Sequence, residues 1–199
     1  MDYSIANRTP DVAQAVVGHH VDANGNAVPH SAAAPQPVSG GSYGSPLSLT
    51  RTADTNAYAA GDVIGTGTGS GNAVLDLGVL GPAAGGEVMI TGATLEIDLA
   101  AVPSGMTSFR LHLYNAAPPS ALADNAAWDL VSGDRASYLG YVDLGTPQDV
   151  GSTLFVQADQ INSQKTMPAG HLFGYLVTNG GYTPASATVH KIILHAAGF

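Results

Sequence analysis

Regular alternation of apolar and polar residues marks the middle of this chain. In residues 94–99 (Thr-Leu-Glu-Ile-Asp-Leu) and 109–114 (Phe-Arg-Leu-His-Leu-Tyr), an apolar side chain stands at every second position. A period of two predicts half-buried β-strands, here over residues 87–99 and 108–114, joined by the turn-forming residues 102–105. Each strand has one apolar face, and two strands alone are marginally stable in water. The rest of the chain must therefore supply a covering layer.

Seven further segments have strand character, and clusters of glycine, proline or Asx residues separate most of them. They are residues 47–53, 59–65, 72–80, 137–144, 153–158, 171–178 and 188–196. Beyond residue 47, the only helical candidate is residues 120–128, in the long connection after Tyr114. Many short strands with turn signals between them predict an all-β fold, a single jelly-roll-like β-sandwich domain over residues 48–199.

Residues 1–47 differ from the rest and are predicted to be an extended N-terminal arm and linker. They carry few large apolar side chains and end in an Ala/Pro/Gly/Ser-rich run, which is typical of linkers. A short helix after Thr9 would need a packing neighbour. The Asn-Gly pair at 24–25 predicts a small hairpin within residues 21–28.

Composition narrows the function classes. The chain of 199 residues has no cysteine, which excludes disulfides, thiolate zinc sites and cysteine nucleophiles. Its net charge is -9, and its six basic residues are scattered, whereas nucleic-acid binding requires a basic patch. No run of residues reaches the length of a membrane span, and the N-terminus lacks a signal-peptide pattern. We therefore expect a protein made in the cytoplasm, with neither nucleic acid nor a membrane as its partner.

Two glycine-rich motifs resemble known catalytic or phosphate-binding sequences. Residues 40–44 match the letters of the G-x-S-x-G nucleophile motif around Ser42, but they lie in linker composition, without the strand and helix that this chemistry requires. Residues 65–71 alternate glycine with Thr and Ser but lack the lysine of a phosphate-binding loop. Both are interpreted as linker or turn.

Metal and acid–base candidates are also few. Residues 22–26 resemble the start of a calcium loop, but Ala27 and Ala33 stand where glycine and glutamate are needed. His19, His20 and His30 could meet across the predicted hairpin and bind a metal, yet no supporting carboxylate is nearby in sequence, and surface or interface histidines are the favoured interpretation.

The strand residues with titratable side chains have simpler explanations. Glu96 and Asp98 share one strand face and alternate with buried residues, which indicates a solvated outer face. Strand histidines such as His112, His190 and His195 are usually packed and hydrogen-bonded. Trp128, the only tryptophan, is expected to anchor its connection onto the sandwich, or else onto a partner. We therefore predict no catalytic residue, no metal site and no cofactor, and a chain that is not an enzyme.

Four stretches of the chain resemble a group of tailed-bacteriophage virion proteins. They are residues 49–65 (LTRTADTNAYAAGDVIG), 93–97 (ATLEI), 109–118 (FRLHLYNAAP) and 123–128 (ADNAAW). The resemblance extends over about residues 47–199 and implies a structural virion component. It implies most specifically a capsid decoration (cement) protein on the outer surface of the virion, with the major capsid protein and neighbouring copies of itself, expected as a trimer, as partners.

Two other functions stay open at this point. A tail, fibre or head-fibre component could bind a host-surface glycan, with Tyr43, Trp128 and Tyr182 as the first residues to test. A carbohydrate-active enzyme would need converging carboxylates, whereas the acidic residues here lie mostly in turns or on outer strand faces.

Overall fold

The computed structural model describes residues 19–21, 27–29, 41–82 and 85–198. These residues form twelve strands, and none of them forms a helix. In chain order the strands are β1 His19–Val21, β2 Ala27–Pro29, β3 Ser42–Thr50, β4 Val63–Ile64, β5 Leu75–Val79, β6 Gly86–Ile97, β7 Phe109–Tyr114, β8 Tyr138–Gly145, β9 Gln148–Asp149, β10 Leu154–Met167, β11 His171–Thr178 and β12 Val189–Gly198. Within the described part of the chain, no helix could span a membrane.

The chain divides into two compact units, Met1–Ser39 and Gly40–Phe199. In the first unit, β1 and β2 pair antiparallel, with His20 opposite Val28. This confirms the hairpin predicted around the Asn-Gly pair. His30, the calcium-like residues 22–26 and the helix predicted after Thr9 lie outside the described residues.

The second unit is a β-sandwich of jelly-roll type, as predicted. Its first sheet has the order β3-β12-β6-β10-β9, and its second has the order β4-β11-β7-β8. β4 and β5 pair with successive parts of β11 and together act as one interrupted strand. All pairings are antiparallel, and most connections carry the chain from one sheet to the other, which is the arrangement of a jelly roll.

The two strands with the clearest alternation, β6 and β7, lie in different sheets. β6 pairs with β12 and β10, whereas β7 pairs with β11 and β8. Their apolar faces meet in one core, where Leu95, Ile97, Phe109 and Leu111 are fully buried. The turn-forming residues 102–105 therefore join two layers instead of closing a hairpin, and each strand helps to cover the other.

The first sheet begins earlier than the sequence predicts. β3 starts at Ser42, so the expected boundary at residue 47 falls inside a strand that pairs with β12 from Ser42 to Thr50 without a register shift. The Ser/Gly/Pro composition at the start of this strand, residues 42–46, predicts a linker instead. Pairing along β12 overrides that weak local preference, and Tyr43 and Leu47 pack against the core.

Three other predicted elements differ from the structure. The strand expected over 59–65 is only Val63–Ile64, while that expected over 153–158 extends to Met167 because it pairs with the whole length of β6. In the polar second half of this longer strand, apolar and polar residues alternate too weakly to predict a strand from the sequence. Residues 120–128 are turns instead of a helix, because their backbone groups bond to residues 61–73, as in Trp128 N–H to Gly61 O at 2.9 Å.

We predict that a fragment of residues 40–199 unfolds cooperatively at the same denaturant midpoint as the full chain, because its core lies within the second unit. A fragment of residues 48–199 loses most of β3, exposes the edge of β12 and should be less stable by about 3 kcal/mol. Urea denaturation followed by fluorescence measures both. A non-cooperative transition for residues 40–199 would show that the first unit completes the core.

Candidate functional site

The connection between β7 and β8 covers the outer face of the second sheet. Trp128 lies at its centre, with its ring stacked on His112 at a centroid distance of 3.7 Å and its Nε1 donating to Tyr114 Oη at 3.3 Å. Tyr175 Oη accepts from the Leu122 backbone N–H at 3.1 Å. Trp128 therefore anchors the connection within the molecule, as expected from the sequence.

An exposed group of side chains borders this covered face, and we call it the aromatic patch: Arg110, Tyr138, Tyr141 and Asp143. Tyr141 is 51% exposed, and the Arg110 guanidinium lies over its ring, 4.2 Å from the centroid. Arg110 Nε donates to Asp143 Oδ1 at 2.8 Å. An aromatic ring beside a cation and a carboxylate can stack on a flat ligand and hydrogen-bond to its polar groups.

His112 lies beneath the aromatic patch and links it to the covered face. Its Nδ1 is 3.0 Å from Tyr138 Oη, and its side chain is almost fully buried. Burial, and secondarily the charge of Arg110, lowers the pKa of His112 to about 4. The imidazole is therefore neutral near pH 7, where it packs and hydrogen-bonds.

The aromatic patch cannot be predicted from the sequence alone. Arg110 lies on β7, and Tyr141 and Asp143 lie on β8. Arg110 is directly opposite Asp143, next to a register shift in the pairing of the two strands. The alternation of residues on β7 could have assigned Arg110 to the outer face. Only the pairing of β7 with β8, whose register is set by a bulge, brings the Asp143 carboxylate and the Tyr141 ring next to Arg110.

A buried charged network fixes the same connection from its other side. Tyr58 Oη donates to Asp124 Oδ1 at 2.6 Å and accepts from Arg51 Nε at 2.6 Å. Arg51 also forms an ion pair with Asp54 at 2.5 Å, and its Nη2 lies 3.7 Å from Asp124 Oδ2. Burial, and then the Asp124 carboxylate, raises the pKa of Tyr58, so the phenol stays protonated.

This network joins two parts of the chain that are far apart in sequence. Arg51, Asp54 and Tyr58 come from residues 49–65, and Asp124 comes from residues 123–128. Asp124 Oδ1 also accepts the Gly65 backbone N–H at 2.7 Å. These residues therefore specify how residues 51–65 hold the connection, and they form a buried structural site instead of an exposed reactive one.

The remaining candidates do not converge. Ser42 is exposed at the start of an edge strand and is followed by more strand instead of a helix. Glu96 pairs with Lys191 at 3.2 Å on the outer face of the first sheet, in a shallow depression of about 180 Å³ that Asp98 also lines. Residues 65–72 form a turn closed by Thr66 N–H to Asn72 O at 2.9 Å.

The histidines on the strands of the sandwich, and the aromatic residues proposed for glycan binding, are also dispersed. His190 is buried, with no hydrogen-bond partner for either ring nitrogen among the described residues, whereas His195 is exposed on the same strand. The described residues contain no group of side chains that could hold a metal ion. Tyr182 is 3% exposed and packs on Tyr58 at a centroid distance of 5.4 Å, so it belongs to the core and is unavailable to a glycan.

Comparisons with known proteins do not assign a function to this chain. No family model and no curated protein matches the chain. Solved structures similar to it include the capsid of Ralstonia phage GP4, at 17% identity over 83% of this chain and 90% of that chain with a TM-score of 0.42. The tomato aspermy virus structure is similar at 9% identity over 94% and 91%, with a TM-score of 0.35. A full particle of Israeli acute paralysis virus is similar at 11% identity over 100% and 81%, with a TM-score of 0.34.

We predict that the stability of the protein falls as the pH decreases from about 6.5 to about 4. Burial lowers the pKa of His190 to about 4 from 6.5. Between these values the unfolded chain binds a proton that the folded chain excludes, so stability is complete above pH 6.5 and is lost through pH 4. The loss from His190 alone is about 3 kcal/mol.

Urea denaturation at a series of pH values measures this effect. His190→Leu should reduce the slope of stability against pH, while His195→Leu, on the exposed face of the same strand, should leave it unchanged. An unchanged slope in His190→Leu would contradict the assignment to His190.

We predict that Asp124→Asn destabilises the protein by about 3 kcal/mol, because it removes a charge that pairs with buried Arg51. Chemical denaturation measures the change. Asp129→Asn, at an exposed position of the same connection, is the matched control and should have little effect. If the two variants were equally stable, the network would not hold the connection.

Proposed function

We propose that this protein is a non-enzymatic structural component of a virion, and specifically a capsid decoration (cement) protein. It would bind the outside of the major capsid protein shell and stabilise it. The observation that carries this proposal is the resemblance of residues 49–65, 93–97, 109–118 and 123–128 to tailed-bacteriophage virion proteins. In this structure those stretches contribute core strands, the buried network and the Trp128 anchor, which are the parts that give the sandwich its shape.

The division of the chain into two units suits this role. The second unit has its own core, while the first unit contains the β1–β2 hairpin and is joined to it near residue 40. In the proposed division of roles, the N-terminal unit contacts the capsid shell and the sandwich supplies bulk. Contacts between neighbouring capsid subunits would then be reinforced by buried area and by added strand pairing.

We propose that copies associate around a local symmetry axis of the capsid, as a trimer, which is what the resemblance implies. The sandwich exposes large apolar side chains that include Val150 (63%), Tyr141 (51%) and Val79 (50%). They lie apart from one another, and scattered residues of this kind are normal at a protein surface.

The aromatic patch favours a second candidate function, binding of a host-surface glycan by a tail, fibre or head-fibre component. Tyr141 presents a ring to solvent, and Arg110 and Asp143 lie beside it. Sugar rings stack on aromatic side chains, and their hydroxyls bond to charged groups. Tyr141 therefore replaces Tyr182 as the first residue to test.

We predict that the protein co-sediments with empty capsid shells of its phage and saturates near one copy per major capsid subunit. Because the proposal assigns shell contact to the N-terminal unit, residues 40–199 should bind much more weakly. This boundary keeps β3 intact, so loss of binding would not result from damage to the sandwich. Bound copies are counted by quantitative gel densitometry.

Equal binding by residues 40–199 would contradict the role given to the N-terminal unit. Absence of binding by the full chain would contradict the decoration proposal itself. In that event, a glycan array probed with the protein and with Tyr141→Ala would test the second candidate, which requires a signal that the variant loses.

A further inference from the structure

Along β3, the direction of each residue's backbone N–H and C=O groups, toward β12 or toward the free edge, can be assigned. Immediately outside the strand, Arg51 N–H donates to Thr188 O at 2.9 Å, and Gly41 O accepts from Gly198 N–H at 2.8 Å. The register between them is unbroken. Odd-numbered residues of β3 therefore bond to β12, while the N–H and C=O groups of even-numbered residues point away from the sheet, because these directions alternate along a strand.

This edge is long and carries no charge. Residues 42–50 read Ser-Tyr-Gly-Ser-Pro-Leu-Ser-Leu-Thr, and among the described residues the outward backbone groups have no backbone partner. Natural edge strands are usually protected by charges, bulges, shortness or proline. In β3, Pro46 is the only one of these protective features. It stands at an outward position, so it costs no bond to β12 but removes one donor from the free edge.

Two depressions lie on either side of this edge where it passes Ser48. One, of about 210 Å³, lies between β3 and residues 66–76 and is lined by the apolar side chains of Leu47, Leu49, Val74 and Leu75. The other, of about 180 Å³, lies on the outer face of the sheet and includes Glu96, Asp98 and Lys191. Ser48 lines both depressions.

The chemistry of the two depressions differs. The first has an apolar floor that includes Leu47 and Val74, and a polar rim that includes Thr66, Asn72 and the carboxylate of Asp76. In the second, Lys191 pairs with Glu96 at 3.2 Å, while the Asp98 side chain is exposed, so the depression has an excess of negative charge. A strand laid along residues 47–50 would direct successive side chains to opposite faces of the sheet. One set would enter the first depression and contact its apolar floor, and the alternate set would reach Glu96 and Asp98.

We propose that residues 47–50 form a strand-addition site for an extended segment of a partner protein in which apolar and basic residues alternate. The outward N–H and C=O groups of Ser48 and Thr50 would bond to the backbone of that segment, which is the established physical basis of β-strand addition. Charge complementarity selects the partner, because both the site and the whole chain are acidic, with a net charge of -9. The inference goes beyond the proposed function and does not depend on it.

The test uses the full-length protein and a fluorescent nine-residue peptide of alternating valine and lysine with blocked ends. Fluorescence anisotropy gives its affinity. Ser48→Pro removes one outward N–H and leaves the bonds to β12 in place, as Pro46 already does two residues earlier. We expect this variant to weaken binding by about tenfold or more, whereas Ser48→Ala, which keeps the N–H, stays within about twofold.

Two further measurements separate strand addition from simple charge attraction. Amide exchange should slow at Ser48 and Thr50 when the wild-type protein binds the peptide. A peptide with glutamate in place of lysine should bind at least about tenfold more weakly. Ser48→Pro keeps every charge of the protein, so equal binding by this variant and the wild type would overturn the site.

Other outcomes also decide the question. If Ser48→Pro failed to fold, a peptide N-methylated at alternate positions would remove the donors from the ligand side, and its undiminished binding would overturn the proposal. Equal binding of the lysine and glutamate peptides would overturn the choice of partner. Dimerisation of the protein that Ser48→Pro abolishes, without peptide binding, would assign the edge to a second copy instead.

Discussion

Burial of apolar side chains between two sheets is the constraint on which the rest of this structure depends. Leu95 and Ile97 on one sheet and Phe109 and Leu111 on the other have no exposed surface, and a half-buried strand is stable only when another layer covers its apolar face. That requirement explains why the chain so often changes sheets between successive strands. It also explains why residues 102–105 bridge two layers, although their composition would equally suit a hairpin turn.

The second sheet carries an additional constraint, because it is covered on both faces. Its outer face holds Tyr114 and Tyr175, which the connection after β7 shields from water. A loop that lies over a buried face must satisfy its polar backbone groups. Asp124, in this loop, accepts the backbone N–H of Gly65 beneath it. Its negative charge is balanced by Arg51, and it also accepts a hydrogen bond from Tyr58. Breaking such a buried set of charges is costly even where forming it adds little stability, so the set specifies one position for the loop.

Sequence alone predicts the parts of this fold that alternate strongly. β6, β7 and β11 are found within two residues of their predicted ends. Two of the missed elements share a cause, because pairing with a distant strand overrides weak local preference in β3 and in the polar half of β10. The same non-local register hides the aromatic patch, since Arg110 and Asp143 are 33 residues apart. Tyr182 was misassigned because a tyrosine after Gly-Gly and near proline resembles an exposed loop residue, although its ring fills the core beside Phe109.

The edge of β3 combines two requirements that usually conflict. A free edge that can accept another strand can also accept the same edge of a second copy. Antiparallel self-pairing centred on β3 would place Pro46 opposite its own counterpart, at a position where both residues should exchange N–H bonds. Proline has no N–H to offer, so this symmetric pairing loses its two central bonds. Residues 48–50, which follow Pro46 in the chain, keep their outward N–H donors and C=O acceptors. A single proline at an outward position therefore disfavours symmetric self-association while leaving half of the edge open to a different segment.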